Sequence, residues 1–581
     1  MAASILNFGV NFPIWDQWDT PGLMFVKIQD GSIDVSNGQW NWGYWTAQHN
    51  ESRKLFPRLI LVSLASLTNW NVKVEMFFIL GFIVLIAIEL YILSRLTLKN
   101  TVLSRIDGLA IVANLLIFSL IQYDNFLFGL QVCVLLSLTG IVTGLLIAQT
   151  RFSLWLKTTI GVLLCLVSTY SFSNGLLSWF VVFPAMFFPD ELRWRSIVRR
   201  IPGMLVWGMA TISTLWVYFR YYVKPPGHPG LEEAILHPIK AIHYFLVFLG
   251  SPLGFQRIEI ATIVGAIVLA IWLSLWVSLL WKSRRDFSYL VRAKSWIMLG
   301  GYSIISGLVA ALGRVGFGIE QAIAPRYTTF SLYAIVSAIY LGAVLVEGET
   351  TLDTPQPRRR WLSSAAYTLL GIGLVLHFKT TAFAIEGMRM RQTDTRHAQA
   401  CTLAIEILRD DDCLSRYVYP DTDRLYEHAT AINALGYLTP PLLTSDDLQD
   451  IAVASELSSE RDTWGAFESL KSTSNDLYQV RGWSELPERH TSADIVLLTY
   501  TTASGSEKPF TIIDERESRP DVLRSGLPKN SQLGWLGEFS RSSLPSTRLV
   551  VKAWAFDATI ARAYLLPGTF ELPPTPSTSP E

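Results

Sequence analysis

Long apolar runs recur along the first two thirds of this chain, and no other feature restricts its fold so strongly. In hydrocarbon every backbone N–H and C=O must be satisfied within the chain, which leaves helices or a closed barrel. The runs are close to the roughly 20 residues a helix needs to cross a bilayer, so a helical bundle is expected. Candidate spans are Val74–Leu93, Leu109–Ile121, Leu127–Ala148, Thr159–Phe172 and Leu176–Phe188, then Pro202–Phe219, Ile260–Trp281, Trp296–Leu312, Phe330–Val346 and Ala365–Phe383. That makes about ten helices. Leu55–Thr68 is interrupted by Pro57 and Arg58 and reads as a helix lying at the membrane surface.

Basic residues set the expected orientation. They gather at Arg95/Lys99/Arg105, Arg151/Lys157, Arg193/Arg195/Arg199/Arg200, Lys282/Arg284/Arg285/Arg292/Lys294 and Arg358/Arg359/Arg360. Threading the spans alternately puts all five groups on one side, the cytoplasm. The reading is a multi-pass protein of the inner (plasma) membrane, with its C-terminal domain extracytoplasmic. The threading starts the chain outside, so a helix ahead of Met1 is an expectation of this plan; the pattern of a cleavable signal peptide is missing. Net charge is zero, which gives no basic surplus for nucleic acid.

Residues 1–72 read as an outside loop with the surface helix, 73–385 as the membrane domain, and 386–465 as an outside helical segment. In that segment ACTLAIEILRDDDCLSRY and DRLYEHATAINALGYL have apolar residues at i, i+3, i+4 spacing. From 466 to 566 short alternating runs such as ADIVLLTYTT and RLVVKAWAFD suggest a small antiparallel β-sandwich. Residues 567–581 end in PPTPSTSPE and read as a disordered tail. Of four cysteines, Cys133 and Cys165 fall in spans, whereas Cys401 and Cys413 suit a disulfide in an oxidising compartment.

Chemistry concentrates in the outside loops. The first carries Asp16, Asp19, His49, Glu51, Arg53 and Arg58 among tryptophans. Charges beside a span cost free energy unless they are used. The turn QYDNFLFG places Asp124 on the same expected side, and SFSNGLLSW reads as a structural turn at Asn174–Gly175. The Tyr221–Arg257 loop contains Lys224, His228 and His237 without zinc-ligand spacing and reads as a lid or substrate-binding segment. GRVGFGIEQAIAPRYTTF puts Arg314, Arg326 and Tyr327 at span ends, and arginine suits a phosphate. Walker A, GxGxxG, GxSxG, HExxH and CxxC patterns are missing.

HNESRKLFPRL, QYDNFLFGLQ, SFSNGLLSW and GRVGFGIEQAIAPRYTTF, with the acidic first loop, resemble the GT-C glycosyltransferases. These include the protein O-mannosyltransferases and the bacterial aminoarabinose transferases; poorly characterised bacterial membrane proteins of the same plan look closer still. The resemblance implies a GT-C-like membrane bundle that transfers a sugar from a polyprenyl-phosphate donor to a glycan, lipid or protein acceptor on the outer face. It further implies Asp16 as base, with Asp19 and then Asp124 behind it. His49, Glu51, Arg53, Arg58, Arg314, Arg326 and Tyr327 would bind phosphate or substrate. No cofactor is called for; a divalent metal held by Asp16 and Asp124 is an open alternative. A transporter or flippase for lipid-linked saccharides, and an O-antigen polymerase or ligase, are the competing expectations. A flippase would line a path through both leaflets, whereas these polar residues gather at one face.

Overall fold

The structure is a computed structural model that describes residues 1–191, 193–349, 356–453, 464–474, 476–522 and 532–574. It divides into two compact units. The first comprises Met1–Gly9, Asn41–Leu64 and Lys73–Arg389; the second comprises Val10–Trp40, Ala65–Val72 and Met390–Glu581. The expected boundary at residue 72 is therefore corrected: the opening segment contributes to both units, and only part of it belongs with the membrane-type helices.

The first unit is helical. Eight helices among the described residues are long and apolar enough to cross a bilayer: Val72–Thr97, Leu103–Phe126, Gly129–Gln149, Trp194–Phe219, Ile258–Ser283, Ser288–Phe317, Pro325–Glu347 and Tyr367–Leu403. The spans expected at Thr159–Phe172 and Leu176–Phe188 are instead the shorter apolar helices Leu154–Thr169 and Ser173–Phe187, because Ser153 caps the first and the chain turns at 170–173 before the second. The side chains of Arg358, Arg359 and Arg360 lie outside the described part of the chain.

The expected lid at Tyr221–Arg257 is a second correction. Leu231–Leu236 and Pro238–Gly250 are both helical. Tyr244, Phe245, Val247, Phe248 and Leu249 are buried, an i, i+3, i+4 pattern that the Pro, Gly and His residues ahead of it obscure. This helix packs on Ile258–Ser283, and Gly250 and Gly265 let the two backbones approach closely. A Cβ at Gly250 would strike the Ala261 carbonyl, and one at Gly265 the Leu246 carbonyl.

Three buried indoles in this unit donate to a partner, as an N–H in an apolar interior requires. Trp179 Nε1 donates to Thr169 Oγ1 at 2.9 Å, Trp207 to the Trp179 carbonyl at 3.2 Å, and Trp272 to Ser337 Oγ at 2.9 Å. Trp296 stacks on Tyr340 with centroids 4.1 Å apart. Asn174 keeps its structural role, donating to Ser306 Oγ at 2.9 Å, although its turn is 3-10 helix rather than a hairpin.

The second unit contains a β-sandwich, as expected. One antiparallel sheet runs Arg562–Leu565, Leu549–Asp557, Ile495–Thr501, Glu507–Ile513, with Phe570–Leu572 also paired to Leu549–Asp557. The other runs Gly465–Ser472, Leu477–Ser484, Gly534–Ser540, Arg516–Glu517. Phe467, Val480, Val496, Leu498, Trp535, Val551 and Ala553 form the core between them. The tail expected to be disordered from 567 is corrected in part: Phe570–Leu572 makes an edge strand in register with Leu549–Val551, and Leu572 is buried. Residues 575–581 lie outside the described chain. Cys401 and Cys413 form a disulfide with Cα atoms 6.2 Å apart, and Cys133 and Cys165 are free and buried.

Candidate functional site

Glu51 sits at the tip of a two-stranded hairpin, Gln48–His49 paired with Ser52–Arg53. The turn is possible because Asn50 takes a left-handed conformation, φ 49°, which asparagine tolerates. Arg53 holds the hairpin by donating to three carbonyls: Tyr218 at 2.8 Å, Thr46 at 3.0 Å and Arg220 at 2.7 Å. Gln48 exchanges two bonds with the Val223 backbone, at 2.6 Å and 3.1 Å. The Tyr218 hydroxyl donates to the Glu51 carbonyl at 2.8 Å. Buried Arg58 donates to the carbonyls of Trp45 at 3.0 Å and Ala47 at 2.7 Å. Arg53 and Arg58, expected to meet a phosphate, thus direct these guanidinium N–H groups at backbone carbonyls that would otherwise be left without donors.

Held in this way, the Glu51 carboxylate receives two side-chain partners. His228 Nδ1 lies 2.6 Å from Glu51 Oε1, and Arg314 Nη2 pairs with the same oxygen. All three side chains are partly exposed, at 22% for His228, 29% for Glu51 and 26% for Arg314. Because the carboxylate accepts, Nδ1 carries the proton, and the imidazole presents Nε2 away from that bond. Arg314 occupies the last turn of Ser288–Arg314, where a cation complements the carbonyl end of the helix. Its guanidinium and the His228 ring both rest against Phe317, with centroid distances of 5.8 Å each. Gly318, φ 104°, turns the chain just beyond Phe317, in a conformation other residues rarely adopt. Tyr222 stands close enough that Glu51 raises its phenol pKa while Arg314 lowers it, burial being the larger upward cause.

Arg326 and Tyr327 open the neighbouring helix Pro325–Glu349. Arg326 is exposed, lies over the Tyr327 ring at 5.4 Å, and has no ion-pair partner among the described residues. Arg314 and Arg326 both act electrostatically on the Tyr244 hydroxyl. Asn125 fixes this end of the helix, donating to the Arg326 carbonyl at 2.9 Å. Asp124 precedes it, half-buried in the short helix Tyr123–Phe126. His49 lies in the same hairpin as Glu51.

Asp16 and Asp19, the first candidates for a base, belong to the second unit. Asp19 there pairs with Arg424 at 3.0 Å and accepts from the Tyr419 hydroxyl at 2.9 Å. Next to it His428 Nδ1 donates to the Trp18 carbonyl at 2.9 Å. Burial, and then the Asp19 carboxylate, raise the Tyr419 phenol pKa. Asp16 is half-buried in the 3-10 turn Trp15–Gln17, its carbonyl accepting from Thr20 N at 2.8 Å. These contacts bind the opening WDQWDT to Tyr419, 400 residues away, and to the helix Thr422–Ala434 that follows it, partners that nothing in the motif announces.

His228 is the residue that sequence reasoning undervalued. Its spacing from His237 fits no metal pattern, and only the fold brings it to Glu51. Searches against protein-family models, curated proteins and solved structures match none of them.

Proposed function

We propose that the chain is a membrane glycosyltransferase that moves a sugar from a polyprenyl-phosphate carrier to a cell-envelope acceptor. The observation that carries this reading is the Glu51–His228–Arg314 cluster, with Arg326, which has no ion-pair partner among the described residues, opening the next helix. An acceptor hydroxyl is a poor nucleophile, and a positioned base raises its reactivity about 10²–10⁴-fold. In this reading Glu51 orients His228 through Nδ1, and Nε2 takes the proton of the hydroxyl as it attacks the anomeric carbon. The bond from that carbon to the phosphate oxygen breaks, and the carrier leaves as a phosphate. Arg314 and Arg326 offset the charge growing on the leaving oxygen, so no separate acid is needed. The basic loops at the opposite helix ends support an extracytoplasmic position for this end.

The test is release of polyprenyl phosphate by the purified full chain in detergent, given pooled polyprenyl-phosphate sugars. Wild type should release carrier, Glu51→Gln and His228→Asn should lose about 10²-fold or more, and Asp19→Asn should retain activity. If Asp16→Asn or Asp19→Asn abolishes release while His228→Asn does not, the base lies in the opening segment instead. If no donor turns over and vesicles containing the protein move lipid-linked sugar across the bilayer, the transferase reading falls.

A further inference from the structure

A second charged site lies at the other end of the same helices. Lys294 is near the start of Ser288–Arg314, twenty residues before Arg314 and so about 30 Å away along the helix. Three helices present their N-terminal turns here: Leu154–Thr169 with Lys157 in its first turn, Ile201–Phe219 with Arg200 as its N-cap, and Ser288–Arg314. A Cβ on Gly203 would touch both Thr158 and Phe187, so the first two starts are packed together. Phe188 stacks on Phe287 at 5.4 Å, which draws the third to the same place.

Charge at this place is unbalanced. Lys157, Lys294 and Arg200 act electrostatically on one another and share one nearby acid, Asp190. Lys294 has a side chain only 8% exposed, yet its nearest carboxylate oxygen, on Asp190, is 3.9 Å away, beyond hydrogen-bond reach. Arg200 reaches Asp190 at 3.2 Å through Nη2, while its buried Nε has no hydrogen-bond partner among the described residues. Lys157 donates to the Ala148 carbonyl at 3.1 Å, which brings no negative charge. Asp190 itself is 69% exposed and so screened by water. The next acid, Glu191, is paired with Arg193 at 2.9 Å. Helix N-termini add further positive potential. Three cations facing one solvated carboxylate leave about two charges without a partner, in a setting where a buried cation is stable only when paired.

Around this cluster exposed aromatic side chains face outward: Trp155 at 59% and Trp194 at 76%, the latter between Arg193 and Arg195. Tryptophan with arginine on an apolar helical protein marks the headgroup level of a bilayer. We infer that Lys157, Arg200 and Lys294 form a binding site for the phosphate of an anionic phospholipid headgroup, distinct from the Glu51 site. The lipid phosphate supplies the missing negative charge and accepts from Lys294 Nζ and Arg200 Nε, while its acyl chains lie along the exposed apolar helix surfaces. Asp190 competes with it for Arg200.

The test is a titration of the purified full chain in a neutral detergent with dioctanoyl phosphatidic acid, dioctanoyl phosphatidylglycerol, dioctanoyl phosphatidylcholine or inorganic phosphate. Tm and native mass spectrometry report binding. Both anionic lipids should raise Tm and persist as adducts, and phosphatidylcholine should not. Lys294→Gln and Arg200→Gln should each weaken binding roughly fivefold, the effect of one basic residue at an anionic surface. Asp190→Asn alters an exposed side chain, keeps the fold, and should tighten binding by a similar factor. Equal binding of phosphatidylcholine, or anionic-lipid affinity unchanged in all three variants, would overturn the site. Saturation by inorganic phosphate at the same concentration would overturn the lipid as its occupant.

Discussion

The Glu51 carboxylate and the His228 imidazole, 177 positions apart, meet at 2.6 Å between Oε1 and Nδ1. The pairing depends on Asn50 turning the hairpin and on Tyr218 and Arg53 holding it, so the acid is placed by backbone contacts before any substrate arrives. Arg314 meets the same carboxylate oxygen, and that arrangement makes the first prediction.

Arg314→Lys should keep the charge but lose the planar fork that can grip both Glu51 and a phosphate. Carrier release should fall about 10-fold or more, with the larger effect in KM for the lipid donor. Unchanged kinetics would remove Arg314 from the phosphate's path.

Asp19 and Arg424 form an ion pair inside the second unit. A double-mutant cycle of Asp19→Asn and Arg424→Gln on thermal stability should give a coupling of about 0.5 kcal/mol, since Arg424 is well exposed. Carrier release should stay near wild type throughout.

Burial lowers the His428 pKa below that of a free imidazole, only partly countered by the Trp18 carbonyl. The fold therefore holds this ring neutral, whereas the unfolded chain takes up a proton as pH falls below about 6.5. Its contribution to stability is full above that value and shrinks as pH falls from it toward the depressed folded pKa. Between pH 7 and pH 5 the Tm of wild type should drop, and His428→Gln should flatten that slope. An identical slope in the variant would show that other groups set it.

Thiol labelling of the denatured chain should find two reactive cysteines without reductant, Cys133 and Cys165, and four after reduction. Cys401→Ser with Cys413→Ser should lower stability by about 3 kcal/mol, the chain-entropy value for closing a short loop. Four free thiols before reduction would exclude the bridge.

Gly265→Leu should separate Pro238–Gly250 from Ile258–Ser283, because the side chain would occupy the position of the Leu246 carbonyl. Overpacking of this kind costs about 3 kcal/mol, read as loss of monodisperse protein in detergent. Gly342→Ala, where a Cβ meets nothing within 4 Å, is the matched control.

The sequence was a good guide wherever a property is local. Apolar runs announced the helices from Val72–Thr97 to Pro325–Glu349, alternation announced the sandwich, and the cysteine pair was foreseen. It misled where a helix was short and its polar neighbours many, as at Pro238–Gly250 behind KPPGHPG. Residue type shows that Arg53 and Arg58 are cationic but not that backbone carbonyls surround them.

Hydrophobic period and the grouping of basic residues between apolar runs belong to stretches of about 20 residues, so the amino-acid order alone determined them. Which charged groups meet is a different kind of question. Glu51 reaches His228 and Arg314, Asp19 reaches Arg424, and Lys294 gathers with Lys157 and Arg200 only through packing between distant helices. Coulomb and hydrogen-bond energies depend on separations of a few ångströms, which spacing along a chain does not encode. The tertiary structure decided them.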